Sequence, residues 1–179
     1  MLSGPSGVGK GSVLAAALAL RPELRVGVSM TTRPPRPGET EGVDYFFVTR
    51  EEFAALVREG QLLEHAKFSG NWYGTPRAQV LAELAAGATV VLEIDLAGAR
   101  QVKQAVPEAF TVFVEPPSMV ELANRLRSRG TEDGDEVDRR LRVAESEVAQ
   151  AHEFDAVLVN TDIVETAQAL LDLLDASEV

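Results

Sequence analysis

Three apolar runs constrain the fold more than any other feature of this chain. Residues 89–94 (TVVLEI), 110–114 (FTVFV) and 156–159 (AVLV) are short and nearly uninterrupted, as strands buried on both faces read. Helical patterns lie between them. Residues 97–105 form one, Ser118 and Glu121 open a second as a capping box that runs towards Arg129, and 137–151 is a polar third. Asp162 and Glu165 repeat the capping spacing before a last helix. Strand–helix alternation predicts an α/β domain: a parallel sheet flanked by helices on both faces. Residues 31–84 break the alternation and read as an inserted, mixed α/β lobe.

The first half of the chain supplies the pieces of that lobe and what precedes it. Residues 13–20 (VLAAALAL) are the body of a helix starting near Val8, with Pro22 beyond its end. Val26, Val28 and Met30 alternate as a strand leading into 31–40, a loop rich in Pro and Arg. A short strand is predicted at 44–48. Thr49 and Glu52 form a capping box for a helix that Gly60 stops. Strands at 62–67 and 71–74 flank the turn Ser69-Gly70, and Thr75-Pro76 suits an N-cap followed by a first helical Pro, opening a helix to Gly87.

Composition excludes several kinds of chemistry. With no Cys there is no disulfide, thiolate zinc site or cysteine nucleophile, and two His make a histidine-rich metal site improbable. A formal net charge of −11 argues against a general binder of nucleic acid or anionic membrane. It leaves room for an anionic small substrate if positive charge is gathered locally. The 179 residues predict one domain with small inserts. No apolar run reaches the about 18 residues of a membrane helix and no signal-peptide pattern opens the chain, so a cytoplasmic setting is expected.

Gly4-Pro5-Ser6-Gly7-Val8-Gly9-Lys10 has the spacing of a phosphate-binding loop. Glycines let successive backbone N–H groups turn towards one anion, and the following helix adds its positive end. Lys10 would reach the β- and γ-phosphates of a nucleoside triphosphate. The generic motif has Ser or Thr after the Lys, whereas here Gly11 is followed by Ser12. A glycine-rich strand-to-helix turn without a ligand is the alternative. Only Met1, Leu2 and Ser3 precede the loop, against about five or six residues in a usual strand. Either a stunted first strand or a native start upstream is expected.

Taken with further segments, the chain resembles guanylate kinase of bacterial type, which converts GMP to GDP using ATP. The resemblance is carried by SGPSGVGKGS at 3–12, SMTTRPPRPGETEGVDYFF at 29–47, NWYGT at 71–75, LEIDLAGA at 92–99, EPPS at 115–118 and RLRSRGTE at 125–132. It covers nearly the whole length, and the 29–47 segment is its most specific part. The Lys-Gly-Ser variant is similar to the Lys-Gly-Thr form of some bacterial members. The resemblance implies a P-loop kinase-type sheet carrying an inserted GMP-binding lobe (31–84) and a helical lid (123–149), on a core of 1–30, 85–122 and 150–179.

It also implies roles for particular residues. Gly4 to Ser12 would hold ATP together with Arg125 and Arg129. Ser29, Arg33, Arg36, Tyr45, Glu64, Tyr73, Thr75 and Glu93 would hold GMP. Lys10, Arg36, Arg129 and Arg140 would be catalytic, and Ser12 with Asp95, the latter through water, would hold the Mg²⁺ that accompanies ATP. Physical chemistry suits these assignments. Arg33 and Arg36 sit among Pro34, Pro35 and Pro37, which limit the entropy lost on binding a monophosphate. A Glu64 carboxylate can accept from guanine N1–H and the 2-amino group together, while adenine has an acceptor at N1 and no 2-amino group. Glu93 stands where other members have Asp. Taken singly, each has a plainer reading: the arginines as solvated surface, Tyr45 as strand packing, Glu64 as a surface residue, and Glu93 and Asp95 as the start of a loop. His65 and His152 read as packing or surface residues.

The implied reaction is direct, in-line transfer of the ATP γ-phosphoryl group to GMP, with dGMP also accepted, in purine metabolism and GMP recycling. The expected partners are ATP and GMP, with no nucleic acid and no membrane; oligomeric state is not readable. Three rivals differ. A guanylate-kinase-like scaffold module would lack the complete loop, a ribose 1,5-bisphosphate kinase would not need Glu64, Ser29 and Thr75, and adenylate kinase does not suit 29–47.

Overall fold

The computed structural model of the chain describes residues 1–68, 70–128 and 134–177. In chain order the elements are β1 (Leu2–Ser3), α1 (Lys10–Leu20), β2 (Arg25–Val26), β3 (Met30–Thr31), β4 (Phe46–Phe47), α2 (Arg50–Arg58), β5 (Leu62–Phe68), β6 (Asn71–Pro76) and α3 (Arg77–Ala85). There follow β7 (Val90–Val91), α4 (Leu96–Ala105), β8 (Val112–Glu115), α5 (Met119–Ser128), α6 (Gly134–Val148), β9 (Ala156–Val159) and α7 (Ile163–Ser177). Two compact units result: Met1–Pro22 with Phe110–Val179, and Glu23–Ala109. Among the described residues no helix is long and apolar enough to cross a membrane.

The first unit is built on a parallel sheet in the order β1-β8-β9, with Leu2 opposite Val112 and Phe113 opposite Val157. Helix α1 packs on α7, and Leu122 and Leu126 of α5 meet Val137 and Ala144 of α6 in a buried cluster. Phe113, fully buried, tilts against Phe154 at 5.0 Å between ring centres. Burying a side chain of this size contributes roughly 1.5–3 kcal/mol. The last strand departs from expectation. Val157 and Val159, on one face of the strand, are 42% and 49% exposed, so β9, an edge strand in the pairing order, is not buried on both faces.

The second unit carries a parallel pair, β2-β7, and a four-stranded mixed sheet in the order β4-β3-β6-β5. The single strand expected over 26–30 divides between them. Gly27 N–H still donates to Val91 O, but by Met30 the chain has turned to pair with Phe46 and Gly74. Phe53 of α2 stacks on Trp72 of β6 beneath this sheet. The capping box of α2 forms in both directions: Thr49 Oγ1 accepts from Glu52 N–H, and Glu52 accepts from Thr49 N–H. In the run at 89–94 the named strand is Val90–Val91, with Leu92 and Ile94 buried and Glu93 and Asp95 exposed. At the far edge of the sheet, the Gln101 side chain accepts from His65 N–H at 3.1 Å and donates to His65 O at 2.9 Å.

Thr75 is a correction. It does not cap α3: Pro76 is the N-cap residue, with no side-chain cap bond, and Thr75 belongs to β6. Its hydroxyl is engaged elsewhere.

Candidate functional site

In the first unit the chain leaves β1 through a turn, with Val8 N–H donating to Pro5 O at 3.2 Å, and enters α1 at Lys10. Gly9 has φ +100°, a conformation L side chains rarely adopt, and an added Cβ would lie 2.6 Å from Asn160 Nδ2. Lys10 Nζ folds back over the loop and donates to Gly4 O at 2.6 Å. Ser6, Gly11 and Ser12 are exposed, whereas Gly4, Pro5 and Val8 are buried, with Gly7, Gly9 and Lys10 between. The N-terminal end of an 11-residue helix, a turn of glycines and an ammonium group therefore meet in one place. That combination favours a phosphate chain.

Sequence reasoning missed what stands behind this loop. Asn160, 2% exposed, donates from Nδ2 to Val8 O at 2.8 Å and accepts at Oδ1 from Thr166 Oγ1. Arg125 donates to Val8 O and to Asn160 O, both at 3.2 Å, while its Nε donates to Glu121. Arg125, expected on the ATP phosphates, thus holds the loop from its own side. Arg140 of α6 donates to Ser6 Oγ. Arg129 lies outside the described residues.

In the second unit, strand register gathers the residues expected at the other nucleotide. Directly paired residues point to one face of a sheet, and so do residues two apart along a strand. Glu64 pairs with Thr75, Tyr73 with Thr31, and Thr31 with Phe47. Ser29 and Tyr45 follow by two-residue steps, so Ser29, Tyr45, Glu64, Tyr73 and Thr75 share a face. The Tyr45 and Tyr73 rings meet edge-on at 6.0 Å. Burial raises the Tyr45 pKa above its ordinary value.

Glu64 is 5% exposed, and Thr75 Oγ1 donates to its Oε1 at 2.6 Å. On its other side is Gly98, where an added Cβ would stand 2.8 Å from Oε2. Burial pushes the Glu64 pKa up to about 7; the Thr75 hydroxyl works against that rise and the charge of Asp95 adds to it. A buried carboxylate whose hydrogen bonds offset only part of its desolvation favours further donors, and a base offering two N–H groups supplies them. Asp95 caps α4, its Oδ1 accepting from Gly98 N–H at 2.7 Å. Glu93 is exposed before it, and its charge is felt at Tyr45.

The arginine loop holds a second residue that sequence reasoning passed over. Arg33 makes a two-pronged pair with Glu39, and its guanidinium lies 5.4 Å from the Tyr45 ring centre. The Glu39 bond raises the Arg33 pKa, and the Arg33 bond holds Glu39 below the usual carboxylate range. Arg36 is exposed and its N–H donates to Glu39. A carboxylate at this distance from two arginines was the available signal. His65 packs edge-on against Trp72, and His152 is exposed beside Ala149 O.

Among the described residues no group of three or more His, Asp or Glu side chains could hold a metal. The exposed Ser12 hydroxyl beside the phosphate-binding loop is an oxygen donor of the kind that suits a hard cation which keeps most of its waters and binds chiefly to phosphates, as Mg²⁺ does.

Comparison with known proteins bears on the fold and the family. The family model described as guanylate kinase matches residues 1–177. A guanylate kinase of Thermobifida fusca is 56% identical over 176 residues, covering 98% of this chain and 90% of the relative. One of Thermosynechococcus vestitus is 52% identical over 170 residues, covering 95% and 89%. The crystal structure of guanylate kinase from Anaplasma phagocytophilum is similar with a TM-score of 0.78 at 36% identity, over 98% of this chain and 82% of that one. The expected α/β architecture of P-loop kinase type therefore holds, and the chain is a nucleotide-binding phosphotransferase. Similarity of this depth along almost every residue is inherited, and the chain belongs to the guanylate kinase family.

Proposed function

We propose that the chain transfers the γ-phosphoryl group of ATP to GMP, giving ADP and GDP, and that it accepts dGMP as well. The observation that carries this reading is Glu64: a buried carboxylate held by Thr75 on the same face as Ser29, Tyr45 and Tyr73. Guanine N1–H and its 2-amino group are further donors suited to such a group, and adenine offers an acceptor in the first position. Arg33 and Arg36, with the hydroxyls of Tyr45 and Tyr73, are the proposed ligands of the monophosphate, and Glu93 faces the same nucleotide. In functional terms 31–84 is the GMP lobe, 123–149 the lid, and 1–30, 85–122 and 150–179 the core.

The transfer is in line. A GMP phosphate oxygen forms a bond to Pγ while the bond from Pγ to the bridging oxygen of ATP breaks, and ADP leaves. Because the second pKa of a phosphate monoester is about 6, the acceptor is already anionic near neutrality and no strong general base is needed. This suits a chain with no Cys and two His. The loop from Gly4 to Ser12 binds the ATP phosphates through backbone N–H groups, and Lys10 neutralises charge spreading over the transferred group. Arg129 serves the ATP phosphates directly and Arg125 serves them through the loop it braces; Arg36, Arg129 and Arg140 stabilise the transition state. Ser12 and, through water, Asp95 would hold the Mg²⁺ that accompanies ATP, and the ion would supply further charge neutralisation on the phosphates. The reaction belongs to purine nucleotide metabolism and GMP recycling, in the cytoplasm.

The test is ADP formation from ATP and Mg²⁺ with GMP, AMP or ribose 1,5-bisphosphate as acceptor. Turnover with GMP alone, lost on chelation of the metal, is expected. Turnover with ribose 1,5-bisphosphate, or GMP binding without turnover, overturns the reading in favour of a sugar-phosphate kinase or a scaffold module.

A further inference from the structure

Glu39 stands six residues beyond Arg33, and both its oxygens meet one edge of the guanidinium: Nη1 to Oε2 at 2.9 Å and Nη2 to Oε1 at 2.8 Å. The same Oε2 accepts from Arg36 N–H at 2.7 Å. One carboxylate thus ties the side chain of the first arginine to the backbone of the second. Arg33 Nη1 also donates to Pro34 O at 2.8 Å, and the guanidinium lies 5.4 Å from the centre of the Tyr45 ring and 6.0 Å from that of Phe47. The two side chains are 12% and 18% exposed, so solvent screens the pair less than an open surface pair.

A guanidinium is planar and carries N–H groups on more than one edge. Glu39 uses the Nη1–Nη2 edge. The Nε edge is the one by which a phosphate can be met while Glu39 stays in place, and the Tyr73 side chain interacts with this same guanidinium. Without the carboxylate, Arg33 would be a long, flexible cation with many rotamers to give up on binding.

We propose that Glu39 is a positioning residue for the GMP phosphate: it holds Arg33 and the Arg36 backbone in the attitude that receives the monophosphate, and remains bound to Arg33 while it does so. This rests on the reading of Arg33 as a phosphate ligand. The opposite possibility, that Glu39 competes with phosphate for Arg33, gives an opposite result.

The experiment compares wild type, Glu39→Gln, Glu39→Asp, Arg33→Met and the double variant Glu39→Gln/Arg33→Met. GMP and guanosine binding are measured by calorimetry and the KM for ATP by steady-state assay. Glu39→Gln should weaken GMP binding about tenfold while guanosine binding and the KM for ATP change less than about twofold, since only the phosphate contact is misplaced. Glu39→Asp keeps the charge on a shorter stem and should fall between, which also serves if the Gln variant folds poorly. The double variant should bind GMP no more weakly than Arg33→Met, because both changes act through one group. Tighter GMP binding in Glu39→Gln, an equal loss for guanosine, or additive losses in the double variant would overturn the proposal. If Arg33→Met leaves GMP binding unchanged, the phosphate assignment itself fails and the inference with it.

Discussion

The loop at 4–12 is made of consecutive residues and presents backbone, whereas the Glu64 face draws side chains spread from Ser29 to Thr75, in and beside four strands. Their charged groups are also held differently. Lys10 lies on the carbonyls of Gly4 and Pro5, where its positive charge is solvated by the chain. Glu64 has been taken out of water, and the hydrogen bonds from Thr75 offset only part of that. Backbone dipoles recognise any phosphate chain, because every nucleotide carries the same one. Distinguishing a base requires a group whose hydrogen-bonding pattern is wrong for the competitor, and a desolvated carboxylate provides it.

If the division is real, substitutions in the two regions separate kinetically. The largest effect is expected from Lys10→Ala, which should lower kcat by a factor on the order of 10³ with little change in GMP affinity. Comparable loss of GMP binding by calorimetry would break the division.

Glu64→Gln should reduce kcat/KM for GMP on the order of a hundredfold and leave the KM for ATP unchanged. It also sharpens the contrast through pH. The Glu64 pKa rises from 4.5 unfolded to about 7 folded. Below pH 4.5 the group is protonated in both states, and as pH rises towards 7 only the unfolded chain releases the proton. Stability therefore falls across that window, by roughly 3 kcal/mol from this residue. Glu64→Gln should flatten that part of the curve and melt higher than wild type at pH 8, as read by thermal unfolding. An unchanged pH profile would show that Glu64 is already ionised in the folded protein.

Asn160→Ala is the next test. It leaves Val8 O without its buried donor and opens the space beside Gly9, and should destabilise the chain by about 2 kcal/mol and raise the KM for ATP but not for GMP. Smallest is Thr49→Ala, which removes the α2 cap and should lower stability by about 1 kcal/mol, with both KM values intact. A shift in the GMP constant would mean that α2 positions the sheet face above it.

The same contrast explains what could be read from the residues in advance. The phosphate loop was legible because its spacing is local, and so was the Thr49–Glu52 capping box, which closes in both directions. Asn160 was not, since it acts on Val8 152 residues away. Thr75-Pro76 looked like a helix start because the local pattern is right; a strand partner, Glu64, takes the hydroxyl instead. The run at 156–159 is apolar enough for a central strand, yet pairing order leaves β9 at an edge. Glu39 was within reach of Arg33 in sequence, but an acidic residue in a polar loop is ordinary until its geometry is known. The Glu64 face was proposed through family resemblance; its register is a tertiary fact, fixed when β3, β4, β5 and β6 pair.

One small arrangement bears on how this chain survives while folding. The outer edge of β5 would display an N–H and a C=O at His65 to any passing strand, and open edges of this kind seed aggregation. Gln101 fills both with one side-chain amide, imitating a neighbouring peptide unit without supplying a strand that could be extended. Because the amide comes from α4, that position is closed to strand addition once the helix has docked, and open in any intermediate where it has not.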